Sequence, residues 1–168
     1  YDQFHFFIRQ GLVGIVAIFI MWYFSMLDPD KLVKKVGMSL FVIFFVLMIL
    51  MPFLPGALVT ESGGANRWIR LPGFSLSPVE FFKIGFIYFL SWSFHRKVIH
   101  KPKKIGLIEE VLLLSPYFLT FFVVVFIIAF LQKDLGQVVL LAIILVVLLI
   151  FANRSFKIFL ALGTIAVV

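Results

Sequence analysis

Two ionisable residues stand one helical turn apart inside an apolar stretch. Glu80 and Lys83 belong to the segment 77–83, where Ser77 is placed to cap a helix that begins at Pro78. Proline is well tolerated in the first turn of a helix, and residues three apart share a helix face. An ionisable group inside a membrane costs about 2.5–3.5 kcal/mol at the helix centre, so it faces a partner or a cavity. The spacing predicts either a neutralised pair at the interface or a carboxylate and an ammonium opening onto a polar cavity.

A second set of polar side chains lies just before this segment. Arg67 and Arg70 bracket Trp68 in a stretch that has glycines on one side and a Pro-Gly turn on the other. Arginine offers a planar fork that matches phosphate oxygens, while aromatic side chains anchor at the level of lipid headgroups. The stretch is either a plain interfacial loop or a ledge that binds the diphosphate of a lipid-linked substrate through these three side chains.

The third polar feature is the short segment 132–137, between two long apolar runs. Asp134 is placed to cap the following helix, and Gly136 permits close packing there. The alternative is that Asp134 faces the same site as Glu80 and Lys83.

The composition predicts the elements that position these residues. Hydrophobic residues make up 63% of the 168 residues and charged residues only 14%. Soluble domains carry about 45–50% apolar and about 25% charged residues, so lipid must cover much of this chain. Continuous apolar runs of about 17–25 residues are typical of membrane-spanning helices. The predicted fold is an all-α, polytopic transmembrane bundle with five complete spans and one truncated span: 6–27, 36–54, 78–95, 111–131, 135–152, and a sixth from about 156.

The distribution of basic residues predicts the topology. Ten of the 15 Lys and Arg residues fall in alternate loops, at 28–35, 95–104 and 153–157. Cytoplasmic loops are enriched in Lys and Arg, which places these three loops in the cytoplasm and the 55–77 loop and the 132–134 turn outside. All three polar features then converge on the outer face of the membrane.

Several classes of site are disfavoured. Cysteine is absent, and the His and acidic residues lack metal-ligand spacing, so no metal site is predicted. The net charge of +7 is explained by the topology of the loops, so no nucleic-acid partner is expected.

These motifs resemble the SEDS family of FtsW, RodA and SpoVE. Residues 64–69 and 76–83 are similar to the family pattern Gly-Ala-x-Arg-Trp-Ile…Gln-Pro-Ser-Glu-x-x-Lys, and residues 132–136 to Gln-Pro-Asp-Leu-Gly. Ser77 and Val79 stand where the pattern has Gln and Ser, and Lys133 where it has Pro. The stretch from Arg67 to Lys83 favours FtsW over RodA.

The resemblance implies a peptidoglycan glycosyltransferase that polymerises lipid II at the outer face of the bacterial plasma membrane, in division or elongation. It implies that Lys83 orients the site, that Glu80 and Asp134 support it, and that Arg67 contacts the diphosphate. An essential aspartate of the family would lie beyond Val168.

The partners implied by the resemblance are lipid II (an undecaprenyl-diphosphate-linked disaccharide peptide), membrane lipids and a class B penicillin-binding protein. No cofactor is assigned, and the resemblance leaves open whether a divalent cation assists the reaction. Residues 1–168 are expected to form one transmembrane domain that is incomplete at both ends and inactive by itself.

Two other functions are compatible with the same residues. A flippase for a lipid-linked cell-wall precursor would also place charges within spans, and its mark would be polar residues at both membrane faces. A scaffold for a division or elongation complex would explain the spans but not the charges inside one of them.

Overall fold

The computed structural model describes residues 3–62, 65–72, 74–98, 100 and 106–152. Five helices account for most of this part: α1 Gln3–Ser25, α2 Pro29–Leu50, α3 Pro78–Lys97, α4 Leu107–Phe126 and α5 Leu135–Phe151. A 3-10 turn at Met51–Phe53 extends α2, and a π-helical turn at Ile127–Leu131 extends α4. The predicted sixth span and the basic loop 153–157 lie outside the described residues, as does 101–105 in the loop before α4.

The chain divides into two compact units, residues 1–36 and 37–168, and each is described by itself. The first unit holds α1 and the start of α2, where Asp28 and Lys31 form an exposed ion pair at 3.6 Å. The second unit holds the rest of α2, the other three helices and all of the buried core.

Three helical segments are long and apolar enough to cross a membrane: Phe4–Ser25, Pro29–Phe53 and Leu107–Leu131. Helices α3 and α5 occupy the other two predicted spans, but α3 carries charged residues at both ends and α5 has only 17 residues. The predicted polytopic helical bundle is confirmed, with helix bounds that differ from the predicted ones by up to seven residues, at the start of α2.

The segment between α2 and α3 contains a feature that the sequence analysis did not predict. Three strands form a small antiparallel sheet, in the order β1 Val59–Ser62, β2 Ala65–Leu71 and β3 Phe74–Leu76. Ile69 pairs with Val59 on one side and with Leu76 on the other, so these three apolar residues share one face. Ile69 is buried and β2 contacts α3, which fixes the sheet against the helices.

Helices α2 and α3 approach each other closely through small residues. A side chain at Gly85 of α3 would overlap the backbone of Phe41 in α2, and one at Gly37 would overlap the ring of Tyr88. Stacked rings of Phe41 and Phe89, 4.5 Å apart, fill the space beside this contact. Small residues at such positions let membrane helices pack closely without displacing backbone.

Helix α4 continues through a proline because nearby hydroxyls satisfy the backbone. Pro116 has no N–H to donate to the carbonyl of Leu112, and the Ser115 hydroxyl donates to that carbonyl instead at 2.9 Å. The Thr120 hydroxyl donates to the carbonyl of Pro116 at 2.8 Å. Apolar side chains at helical spacing remain exposed on α4, which suits contact with lipid: Leu112, Leu119, Phe122, Phe126 and Phe130.

The turn between α4 and α5 has an unusual backbone at Lys133. Its φ is 55°, in the left-handed region, and the Asp134 N–H donates to the carbonyl of Ile128 at 3.1 Å to close the turn. Proline is fixed near a φ of −65°, so the proline of the family pattern is incompatible with this conformation.

The close contact between α2 and α3 predicts that Gly85→Ala destabilises the protein. Overpacking of this kind costs about 1–3 kcal/mol, because the methyl group must displace backbone rather than a flexible side chain. The measurement is the thermal unfolding midpoint of the whole protein in detergent. Gly14→Ala on α1 is the matched control, since a methyl group there meets no other described residue within 4 Å.

The turn at Lys133 gives a second prediction. Lys133→Pro should lower the free energy of unfolding by roughly 1–3 kcal/mol, because it removes the left-handed conformation that the turn requires. Lys133→Gly, which adopts positive φ readily, should not destabilise the protein. Equal unfolding midpoints for the proline and glycine variants would contradict this backbone.

Candidate functional site

The N-terminal ends of α3 and α5 and strand β2 surround a cavity of about 310 Å³. The side chains that line it come from all three elements and are mostly polar: Arg67, Trp68, Ser77, Glu80, Asp134, Gly136, Gln137 and Leu140. Four of the predicted site residues therefore line one cavity, namely Arg67, Trp68, Glu80 and Asp134. The structure thus brings residues of all three polar features together at one cavity.

Asp134 forms an ion pair with Arg67. The Nε of Arg67 lies 3.0 Å from Oδ2 of Asp134, and the Asp134 side chain is only 7% exposed while that of Arg67 is 45% exposed. Nε lies against the carboxylate, and the guanidinium carries further N–H donors on its two terminal nitrogens. The pair therefore joins the sheet to the start of α5 and holds an arginine at the cavity wall.

The side chain of Asp134 does not cap α5. Asp134 occupies the N-cap position of that helix, but its carboxylate makes no cap hydrogen bond and turns to Arg67 instead. Capping by Asp134 was one of the sequence-based alternatives, and it is wrong for a physical reason. A buried carboxylate needs an opposite charge, which the guanidinium of Arg67 supplies and a backbone N–H does not.

Lys83 and Glu80 form the second ion pair. Nζ of Lys83 lies 2.8 Å from Oε2 of Glu80 on the same face of α3, as the spacing predicted. The Lys83 side chain is 16% exposed and that of Glu80 is 52% exposed. Lys83 is not among the residues that line the cavity. It contacts Glu80, which is one of them.

Ser77 has a different role from the predicted one. It occupies the N-cap position of α3, but its hydroxyl makes no cap hydrogen bond, and the residue lines the cavity. Pro78 occupies the first turn of α3 and lacks one of the N–H groups that a cap would satisfy.

Gln137 is a site residue that the sequence analysis missed. Its Nε2 donates to Oε1 of Glu80 at 3.0 Å, so both oxygens of that carboxylate are bound. The spacing in the sequence could have identified Gln137 as a site residue. It lies three residues beyond Asp134, and one turn of helix brings the two residues to the same face.

Arg70 lies apart from these residues. It is exposed on β2 and is not among the residues that line the cavity in the described part of the chain. Its backbone N–H donates to the carbonyl of Leu58 at 2.7 Å, so the residue helps to hold the sheet through its main chain.

The electrostatics of the site are balanced. Two cations, Arg67 and Lys83, face two carboxylates, Asp134 and Glu80, so the four groups sum to zero charge. No three His, Cys, Asp or Glu side chains of the described residues come close enough to hold a metal ion. The arrangement places the guanidinium of Arg67 at the cavity and the ammonium of Lys83 directly behind Glu80, where an anionic ligand could interact with both positive charges.

The fold and this site define a class, that of polytopic membrane proteins with a polar site at one end of the bundle. The family model described as "Cell cycle protein", which groups FtsW, RodA and SpoVE, matches residues 1–168. The chain belongs to this family, and it is a multi-pass protein of the inner membrane.

Known relatives agree with this assignment. The chain is 45% identical over 159 residues to the "Probable peptidoglycan glycosyltransferase FtsW" of Helicobacter pylori (strain ATCC 700392 / 26695), covering 95% of this chain and 41% of that protein. The chain thus spans about two-fifths of the length of the curated relatives that it matches.

Solved structures share the fold. The crystal structure of the rod shape determining protein RodA of Thermus thermophilus matches with a TM-score of 0.67 at 20% identity, over 95% of this chain and 48% of that one. A structure described as "Structural coordination of polymerization and crosslinking by a peptidoglycan synthase complex" matches with a TM-score of 0.72 at 19% identity, over 94% and 43%.

The ion pair between β2 and α5 predicts that Arg67→Ala destabilises the protein. The variant leaves the buried carboxylate of Asp134 without its cation, at a cost of roughly 1–3 kcal/mol because Arg67 is itself half exposed. Thermal unfolding of the whole protein measures the loss. Arg70→Ala removes an exposed arginine from the same strand and is the control, expected within about 0.5 kcal/mol of wild type. Equal losses for the two arginines would contradict a specific role of the ion pair.

Proposed function

We propose that the whole protein is a peptidoglycan glycosyltransferase that polymerises lipid II into glycan strands at the outer face of the plasma membrane. The observation that carries the proposal is a polar cavity lined by two carboxylates, Glu80 and Asp134, each of which is paired with a cation: Lys83 behind Glu80, and Arg67 at the cavity wall. The relative named as a peptidoglycan glycosyltransferase supports the reaction class.

The reaction needs two kinds of group. The oxygen of an acceptor sugar hydroxyl forms a bond to the anomeric carbon of the donor sugar, and the bond from that carbon to the lipid diphosphate breaks. The hydroxyl proton passes to a base, and the departing diphosphate gains negative charge. Cations that are held in place before the reaction stabilise that charge without having to reorganise.

The residues of this chain suit the leaving-group side of the reaction. Arg67 offers guanidinium N–H donors to the diphosphate, and Lys83 supplies an ammonium that Glu80 orients. Glu80 and Asp134 are already engaged with cations, so both support the cations rather than act as the base. The resemblance assigns an essential aspartate to a loop beyond Val168, and that carboxylate would pair with Lys83 and take the proton.

The same proposal includes the orientation and the lipid-linked substrate. The positive-inside rule supports cytoplasmic loops at 28–35, 95–104 and 153–157, with the 55–77 segment and the 132–134 turn outside. Trp68 is 41% exposed at the cavity and suits the interfacial region where the headgroup of lipid II would lie.

The partner and cellular role are part of the proposal. The matched synthase complex is named for polymerisation together with crosslinking, which supports a class B penicillin-binding protein, a transpeptidase, as partner. The relatives named FtsW favour a role in division over one in elongation.

A flippase for the same precursor is the second candidate. The observation that favours it is the carboxylate of Glu110 in the first turn of α4, which is only 6% exposed. In the proposed topology, Glu110 lies on the opposite side of the membrane from the cavity. Polar groups at both faces are expected of a translocation path. The two ion pairs and the cavity lie at the outer end, which favours catalysis there.

Substitution of Lys83 tests the proposal. Lys83→Ala in the whole protein should abolish glycan polymerisation from purified lipid II, because it removes a cation that faces the leaving diphosphate. The assay contains the transpeptidase partner and divalent cations, and it measures polymer length on gels. Lys97→Ala, at the cytoplasmic end of the same helix, is the control and should leave polymerisation unchanged.

The outcomes separate the candidates. Near-normal polymerisation by a folded Lys83→Ala protein would refute the assigned role of Lys83. Failure of the wild-type protein to polymerise under these conditions would favour the flippase, which a vesicle assay for lipid II translocation then measures.

A further inference from the structure

Gln137 lies outside the segments that resemble the family, yet it contacts the charged centre of the site. It lies in the first turn of α5, three residues after Asp134, and both side chains line the cavity. One turn of α5 therefore touches both ion pairs, through Asp134 to Arg67 and through Gln137 to Glu80.

The hydrogen bond from Gln137 changes how Glu80 is held. A glutamate terminal torsion is broad, so a carboxylate bound through one oxygen can turn. Here Lys83 binds Oε2 at 2.8 Å from within α3, and Gln137 binds Oε1 at 3.0 Å from α5. With both oxygens bound from two helices, the carboxylate has one defined orientation, and so does the ammonium of Lys83.

The orientation of the Gln137 amide has an energetic consequence. Its Nε2 must face the carboxylate, since the reversed amide would set a carbonyl oxygen against Oε1 of Glu80. The amide oxygen is consequently buried, and no described residue donates a hydrogen bond to it. Burial of an unpaired carbonyl is unfavourable. A methionine would fill the same space without that cost, so what distinguishes the glutamine is its donor.

We propose that Gln137 is a positioning residue of the glycosyl-transfer site. It fixes the carboxylate of Glu80, which in turn holds the ammonium of Lys83 toward the leaving diphosphate. Because Gln137 is neutral, it does so without disturbing the charge balance of the two ion pairs. A glutamate in its place would set a second carboxylate against Glu80 and compete for Lys83. This inference rests on the proposed glycosyltransferase function.

The test uses the whole protein with its transpeptidase partner and purified lipid II. Gln137→Met keeps the length of the side chain and removes the donor. Loss of a hydrogen bond to a charged group predicts a fall in kcat of roughly 10-fold or more, with KM for lipid II within about 2-fold of wild type. Gln137→Glu should lower kcat further. Val139→Met, exposed on the same helix and not lining the cavity, is the matched control.

A double-mutant cycle with Glu80→Met separates positioning from general damage. If Gln137 acts through Glu80, Gln137→Met has less than about a 2-fold further effect on kcat once Glu80 is replaced. The same cycle is measured by thermal unfolding, so that a background with little activity still reports the coupling. Glu80→Met should remove most of the shift in midpoint that Gln137→Met causes.

Each outcome bears on the inference separately from the function. Suppose that the wild-type protein makes polymer. The role of Gln137 is then overturned by a normal kcat in Gln137→Met, by a change in KM alone, or by independent effects in both cycles, and the proposed function still stands. Failure of wild type to make polymer would overturn both. If Gln137→Met does not fold, Gln137→Glu still decides the matter, because a folded Gln137→Glu protein with wild-type kcat would overturn the inference.

Discussion

The carboxylate of Asp134 is almost fully buried at one end of an apolar bundle, and it needs a cation. A buried charge without a partner is strongly unfavourable. Arg67 supplies the cation from strand β2, 3.0 Å away. To make that contact, the 59–76 segment must lie over the end of α5, and the turn after α4 must aim Asp134 toward it. The π-helical turn and the left-handed backbone at Lys133 achieve the second requirement.

Packing within the membrane part fixes the other ion pair. Gly85 lets α3 approach the backbone of α2, and the rings of Phe41 and Phe89 stack beside that contact. With α3 held in this way and packed against α5, its first turn presents Glu80 to Gln137. The charged groups therefore lie where two helices and a sheet meet, at one end of the bundle.

The helices themselves were predictable from the sequence because lipid leaves few alternatives. An apolar run of sufficient length must satisfy its backbone internally, so its existence as a helix follows from hydrophobicity alone. The pairing of Glu80 with Lys83 was also predictable, since residues three apart meet on any helix. The sheet was not, because strands this short have weak patterns and gain their stability from packing against the helices. The predicted caps at Ser77 and Asp134 failed because a cap is only one of several contacts open to a polar side chain at a helix start.

The sequence by itself determined the spans, the membership of the family and which residue types could bind an anion. Those properties depend on composition and on short spacings along the chain, and both can be read without knowledge of the fold. Only the tertiary structure decided that Arg67 pairs with Asp134, that Gln137 donates a hydrogen bond to Glu80, and that Arg70 is not among the residues that line the cavity. Each of these depends on distances between elements that are far apart along the chain. Such distances are set by helix packing and by the register of the sheet, and no local pattern encodes them.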